Sequence, residues 1–540
     1  MTDRLRQHGD APLGVALSGG GHRATLLGLG ALLYLADAGK GATINTIASV
    51  SAGSITNAYL ASLPESPLAA RQSFEPHVAH LMRKISGDRR WWLASWSLVA
   101  VVSIWFFGIL FWTSVDEGWP WRLAVPLAVL VLVALFIGPR SGGSLWAWRG
   151  TWLWLVDLAL SLIPGTYLWR TVDGTWPRAG ALAVSFVLFG IAFFGRGYAL
   201  RWSLSRTITP LGSRGKNRAT LEEMNKQIEH VICATELHAG THTYFGRDFI
   251  YTREFGFGEP ARMPIATALH ASASFPFVFP VCILRARKHA FRFPDVERKP
   301  RRLLVLSDGG IVDNMADAWQ LGAADRARRL TWLNRVQDDE KLVAFVNRLK
   351  SVPETLVVID ATPPPVSQGV GAALLPLVTE LFGVARAAGV SHSAAVQTRA
   401  RDLEARFASG AVRGALVASA KSPMDVITAV LDPDNPDKPA DDVIERATKA
   451  RSYLAARFAN EDFRAFPSMT MASGTYLTPV GAERAAHIVL HGYLQAMITL
   501  HVTLGYPLLA HAPVRDDFRR LAAGGAISTP PVGNLSAVAM

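Results

Sequence analysis

The sequence predicts an α/β fold, and three stretches carry that reading. Residues 14–17 (GVAL) run into Ser18-Gly19-Gly20-Gly21 and a helix-like segment over 24–38. Residues 47–54 (IASVSAGS) run into the helix-like ITNAYLASL, and residues 303–306 (LLVL) run into Ser307-Asp308-Gly309-Gly310. A fully buried strand reads as a brief apolar run bounded by turn residues. The carboxyl ends of such strands are where open α/β sheets gather their chemistry.

The length of 540 residues exceeds one ordinary domain. Hydrophobic residues make up 50% of the chain and the net charge is +12. A basic balance suits nucleic acid or an anionic membrane face. With no zinc-finger spacing, no basic-arm heptads and no RNA-binding aromatic signature, nucleic acid is set aside. The apolar excess gathers between about residues 91 and 195, which points to membrane. The N-terminus lacks the apolar run of a signal peptide, so the start of the chain is expected in the cytoplasm. Cys233 and Cys282 lie in apolar contexts and read as buried reduced thiols.

Crossing a bilayer core of about 30 Å takes roughly 20 apolar helical residues. Residues 91–115 contain no charge; 123–138 and 179–195 are also apolar; 151–169 carries Asp157 and a Pro164-Gly165 break. Arg83, Lys84, Arg89 and Arg90 precede the first stretch, Asp116 and Glu117 follow it, Arg140 and Arg149 come next, and Arg196, Arg201 and Arg206 close the series. That order is the positive-inside pattern for an insertion of four spans with both ends cytoplasmic. The expected domains are 1–90 and 205–520 as two parts of one catalytic unit, 91–204 as a transmembrane insertion, and 521–540 as a weakly ordered tail. The expected location is a multi-pass inner or plasma membrane protein.

Gly19, Gly20 and Gly21 let backbone N–H groups converge without side-chain obstruction, ahead of a helix N-terminus. Such a loop can hold a phosphate or an oxyanion, and it matches neither usual nucleotide loop. Residues 49–53 (Ser-Val-Ser-Ala-Gly) approximate the G-x-S-x-G elbow, with Ser51 as nucleophile and Ser49 at the first glycine position. Asp308, at the end of its strand, can serve directly as base if burial raises its pKa.

Together these elements resemble the patatin-like phospholipase family, over roughly residues 12–62 and 228–316. The resemblance rests on the order GGGxR (Gly19, Gly20, Gly21, Arg23), S-x-S-x-G around Ser51 and DGG at Asp308. CATELHAGTHTYF (233–245) and ATALHASASFPFVFP (266–280) add to it. It implies a three-layer α/β/α sandwich, a Ser51–Asp308 dyad, an oxyanion hole from Gly19, Gly20, Gly21 and Arg23, and a lipid acyl ester as substrate. It implies no metal and no organic cofactor. Ser49 in place of the first glycine is the clear departure. Since Ser51 and Asp308 must meet, an inserted membrane segment must cross an even number of times.

Other residues read as structural. His22 stands at a variable position of the glycine loop; His238 and His242 lack an acid for a metal site. Asp313 reads as a turn or capping residue, His270 and Ser272 as packing. Arg23 divides evenly between holding a lipid phosphate and bracing the loop. Residues 356–359 (LVVI) read as a strand, 372–400 and 482–500 as helices, the first broken at Gly383 and Gly389, and 421–440 as a surface loop. The functional expectation is a membrane-anchored serine acyl hydrolase acting on phospholipid or lysophospholipid. A catalytically silent scaffold of the same fold is the alternative.

Overall fold

The computed structural model describes residues 11–87, 187, 195–276, 279–292, 302–332, 339–363, 376–434, 439–473 and 480–528. The chain divides into two compact units, one of Met1–Asp88, Leu204–Pro276 and Val281–Met540, the other of Arg89–Ser203 and Phe277–Pro280. Of the second, only 187, 195–203 and 279–280 are among the described residues. The sheet belongs to the first.

Ten strands form one mixed sheet: β1 (Leu13–Leu17), β2 (Ile44–Val50), β3 (Glu229–Glu236), β4 (Thr241–Phe245), β5 (Ile250–Thr252), β6 (Gly256–Gly258), β7 (Cys282–Arg285), β8 (Leu303–Asp308), β9 (Thr355–Asp360) and β10 (Arg413–Ala418). The run β10-β9-β1-β2-β3 is parallel. Strands β4, β5 and β6 continue it antiparallel. Strands β1 and β9 are buried at every position, which is why they read as unbroken apolar runs: a parallel sheet is covered on both faces.

β3 carries the decisive register. Its residues Glu229 to Cys233 pair with β2, ending at Val50↔Cys233. Its next residues, Ala234 to Glu236, pair with β8, starting at Ala234↔Asp308. Over Ile232 to Glu236 its other edge is taken by β4. So β2 and β8 follow one another along a single edge.

Helices cover both faces. The named helices are α1 (His22–Asp37), α2 (Gly53–Ala61), α3 (Ile265–Ser272), α4 (Ala323–Trp332), α5 (Glu340–Lys350), α6 (Pro376–Ala408) and α7 (Ala482–Leu504). On one face Ala16, Ala48, Val231 and Val358 pack with Trp319, Leu330 and Phe345, the last two from α4 and α5. On the other, Leu17 lies under Gly28 of α1, and Ser49 under Asn57 of α2. Helix α7 lies against α1 at backbone distance: a Cβ on Gly30 would sit 2.1 Å from the Val489 carbonyl oxygen, and one on Gly492 would sit 2.3 Å from that of Leu27. Tyr493 Oη donates to the buried Asp37 (2.6 Å), which also pairs with Arg71 (3.3 Å).

The expectation of a transmembrane insertion is corrected here. No helix among the described residues is long and apolar enough to cross a membrane, so the membrane-interrupted fold and the multi-pass inner or plasma membrane placement are not supported. Helix α6 has the length, 33 residues, but carries Arg399, Arg401, Asp402, Glu404 and Arg406. The apolar side chains of α7 are buried within the protein. The stretches 91–115, 123–138, 151–169 and 179–195, with Asp157 and Pro164-Gly165, lie outside the described residues except 187 and 195.

Smaller differences have local causes. Helix α6 runs past Gly383 and Gly389 unbroken. Within 421–440, residues Pro423–Leu431 form a helix whose start is capped reciprocally by Ser422 and Asp425, with Pro423 in its first turn. In the expected tail, Ile527 N–H donates to Glu75 (2.8 Å) and Ser528 bonds to Asp517; residues 529–540 lie outside the description.

In an ordinary helix interior glycine-to-alanine gains about 0.5–1 kcal/mol. Gly492→Ala should instead cost about 1–3 kcal/mol, because the new methyl drives α7 off α1. Urea unfolding of the two proteins checks this, and a more stable Gly492→Ala protein sinks the packing argument.

Candidate active site

Ser51 stands between β2 and α2 with φ 52°, a left-handed conformation uncommon for a non-glycine residue. Its N–H donates to Ser272 Oγ (2.9 Å) and its carbonyl accepts from Ser54 N–H (3.0 Å). Ser54 Oγ and Ser272 Oγ share a further hydrogen bond of 2.9 Å. The strand and helix meet so closely that a Cβ on Gly53 would lie 2.4 Å from the Ser18 carbonyl oxygen. Ser49 is absorbed without disturbing this turn. Its hydroxyl accepts from Asn57 Nδ2 (2.8 Å) and donates to the Val231 carbonyl (3.3 Å).

The β3 register carries Asp308 to the same place. The partners of Val50 and Asp308 are successive residues, Cys233 and Ala234, so the residue after Val50 meets the end of β8. Asp308 is buried. Its N–H donates to the Ser274 carbonyl (3.1 Å), and its Oδ1 accepts from Gly310 N–H (2.8 Å). Burial pushes its pKa up to about 6, while the Ser51 hydroxyl and the Gly310 N–H pull it back. Oδ2 is buried and makes no hydrogen bond of ordinary geometry among the described residues. Ser51 is thus near enough to Asp308 to act on its pKa, without a hydrogen bond of ordinary geometry to Oδ2.

The glycine loop closes the site. Gly19 N–H is committed to the Asn314 carbonyl (2.9 Å), and a Cβ on Gly19 would sit 3.1 Å from that of Ser51. Gly20 and Gly21, at φ 149° and 66°, have N–H groups with no backbone acceptor among the described residues. They precede the first turn of α1, so these two are the donors free for an anion. Arg23 points elsewhere. Its side chain is buried and binds the carbonyls of Ala361 (2.9 Å) and Ser473 (3.0 Å). Burial lowers its pKa to about 10, with Asp360 opposing that shift. The structure therefore gathers Ser51, Asp308, Gly19, Gly20 and Gly21, and uses the guanidinium of Arg23 as a brace.

Three residues outside the glycine loop, the serine elbow and the DGG turn complete the framework. Asn314 gives its carbonyl to Gly19 and its Nδ2 to Thr362 Oγ1 (2.8 Å). Ser272, which reads as packing in the sequence, holds the Ser51 amide. Ser274 accepts from both the Asp308 N–H and Ser307 Oγ (2.8 Å). Asp313 accepts from the N–H groups of Met315 and Ala318, both 2.9 Å, and pairs with Arg399. His242 lies on β4, where burial lowers its pKa to about 4. Cys233 and Cys282 are buried and unpaired with each other. Among the described residues no group of three or more His, Cys, Asp or Glu is placed to hold a metal ion. A cleft of about 1060 Å³ lies at the amino ends of β9 and β10, lined by Glu354 and Arg413 among others, the far edge of the sheet from Ser51.

No family model matches the chain, and no curated protein matches it.

The raised pKa of Asp308 has a stability consequence. Below its ordinary value of 3.8 both states keep the proton, and between there and about 6 the unfolded chain ionises while the native carboxyl resists. Stability should fall across that window, with a full penalty on the order of 3 kcal/mol above it. Asp308→Asn should therefore gain thermal stability over the wild type as pH rises from 4 to 7. A melting difference that does not change with pH contradicts a desolvated carboxyl.

Proposed function

We propose that the chain is a serine acyl hydrolase that cleaves carboxylic esters of lipids through a Ser51–Asp308 dyad, as its resemblance to patatin-like phospholipases suggests. The observation that carries the reading is a serine held at positive φ beside a buried carboxyl whose Oδ2 has no hydrogen-bond partner among the described residues. An alcohol becomes a useful nucleophile only when a neighbouring base takes its proton as it attacks. A carboxylate with pKa about 6 is ionised at neutral pH yet basic enough for that role.

Ser51 Oγ attacks the acyl carbonyl as Asp308 accepts the hydroxyl proton. The N–H groups of Gly20 and Gly21 stabilise the oxyanion. Collapse expels the alcohol, which takes the proton from Asp308 and leaves an acyl-serine. Water, deprotonated by the same carboxylate, then attacks the acyl carbon; the carboxylic acid departs and Oγ regains its proton.

Ser51→Ala should abolish both fluorophosphonate labelling and ester hydrolysis, and Asp308→Asn should lower kcat by at least about 10³-fold. In the wild type, kcat/KM should rise with pH through an apparent pKa near 6, because only the ionised Asp308 is a base. Hydrolysis unchanged in Ser51→Ala refutes the assignment; absent labelling in a folded wild type favours the silent scaffold.

A further inference from the structure

The antiparallel arm beside the dyad is dressed the wrong way for a face in water. On an edge ribbon with one face against the core, the other face is expected to be polar. Strand β8 buries Leu304 and Leu306, yet Leu303 on its other face is exposed. Strand β7 buries Cys282 and Leu284, while Ile283 is 57% exposed. Ile283 pairs with Val305 and Arg285 with Leu303, so these four side chains share the outward face. Leu237, whose N–H donates to the Val305 carbonyl (2.9 Å), extends it and is exposed too.

Two further exposed apolar side chains flank the Asp308 end of β8. Phe275 follows Ser274, which holds the Asp308 N–H, and Ile311 lies three residues past Asp308; both are exposed. From Leu303 to Asp308 the strand spans roughly 17 Å. The opposite end is basic: Arg285, Arg287, Lys288 and Arg302 are exposed there, on β7, the turn after it and the residue that precedes β8. Apolar side chains rimmed by cations complement one kind of surface, an anionic lipid–water interface, where acyl chains receive the former and headgroup phosphates the latter.

We propose that the outward face of β7 and β8, with Leu237, Phe275 and Ile311, is the surface by which this protein docks onto an anionic lipid interface. The inference rests on the acyl-hydrolase reading for its purpose, since it sets Ser51 beside the layer that would hold the substrate.

The test uses the full chain carrying Ser51→Ala, so that binding is read without turnover. Sedimentation with phosphatidylcholine vesicles containing phosphatidylglycerol should show partitioning that salt weakens and that vesicles of phosphatidylcholine alone do not match. Ile283→Ser with Leu303→Ser should reduce partitioning about tenfold or more, through lost apolar burial. Arg287→Gln with Lys288→Gln should reduce it about tenfold on the anionic vesicles alone. In the Ser51 background both double variants should retain kcat/KM on a monomeric short-chain ester and lose it on vesicles. The soluble-ester arm reports folding and the dyad, so a failure there strikes the hydrolase reading and leaves the docking measurement standing. Partitioning unaffected by either pair of substitutions overturns the docking proposal. So does a shift from dimer to monomer with vesicle binding intact, which makes the face a self-association surface.

Discussion

Everything at the candidate site depends on one strand edge with two successive occupants. Residues about 250 positions apart meet because β3 offers its hydrogen bonds first to β2 and then to β8, changing partner between Cys233 and Ala234. Strands sit about 4.8 Å apart and a slip of one residue turns each side chain to the other face. The ladder therefore positions Ser51 and Asp308 more tightly than loops alone could. Gly309 tightens the junction, since a Cβ there would stand 2.5 Å from the Cys233 carbonyl oxygen. The fully buried parallel strands on one side and the Leu304 and Leu306 anchors on the other leave the register little freedom.

The ingredients of the site were legible where they are local. A serine among small residues, a triple glycine before a helix and an aspartate ending an apolar run each sit within a few positions of their own cause, and each occupies the strand end expected of it. What holds them was not legible. Ser272 and Ser274 belong to a stretch whose composition reads as core, and only the fold brings their oxygens to Ser51 and Asp308. Gly19 and Arg23 belong to the same motif as Gly20 and Gly21, yet their polar groups are consumed by Asn314, Ala361 and Ser473. The helix at Pro423–Leu431 carried its signal openly in Ser422-Pro423 and Asp425, hidden by the proline- and aspartate-rich residues after it. Apolar density alone does not separate a membrane span from a buried helix. It measures removal from water, and α7 shows that a long apolar helix can achieve this against other helices and a sheet.

The buried carboxyl and the positive φ at Ser51 both oppose folding. Sites of this kind persist only when their surroundings over-determine them. Here the opposing stability comes from the close contact of α1 with α7. Helix α1 starts at the glycine loop and packs along its length on α7. The rigidity of the glycine loop is thus inherited from a helix pair that packs along its whole length.

The end of α3 and the turn after it grip the Ser51 amide with the Ser272 hydroxyl and the Asp308 amide with the Ser274 carbonyl, two residues apart. Ser51 and Asp308 consequently share a single mechanical mount. Strain reaching that turn from any direction misaligns both together, so the centre behaves as one latch, engaged or disengaged as a whole.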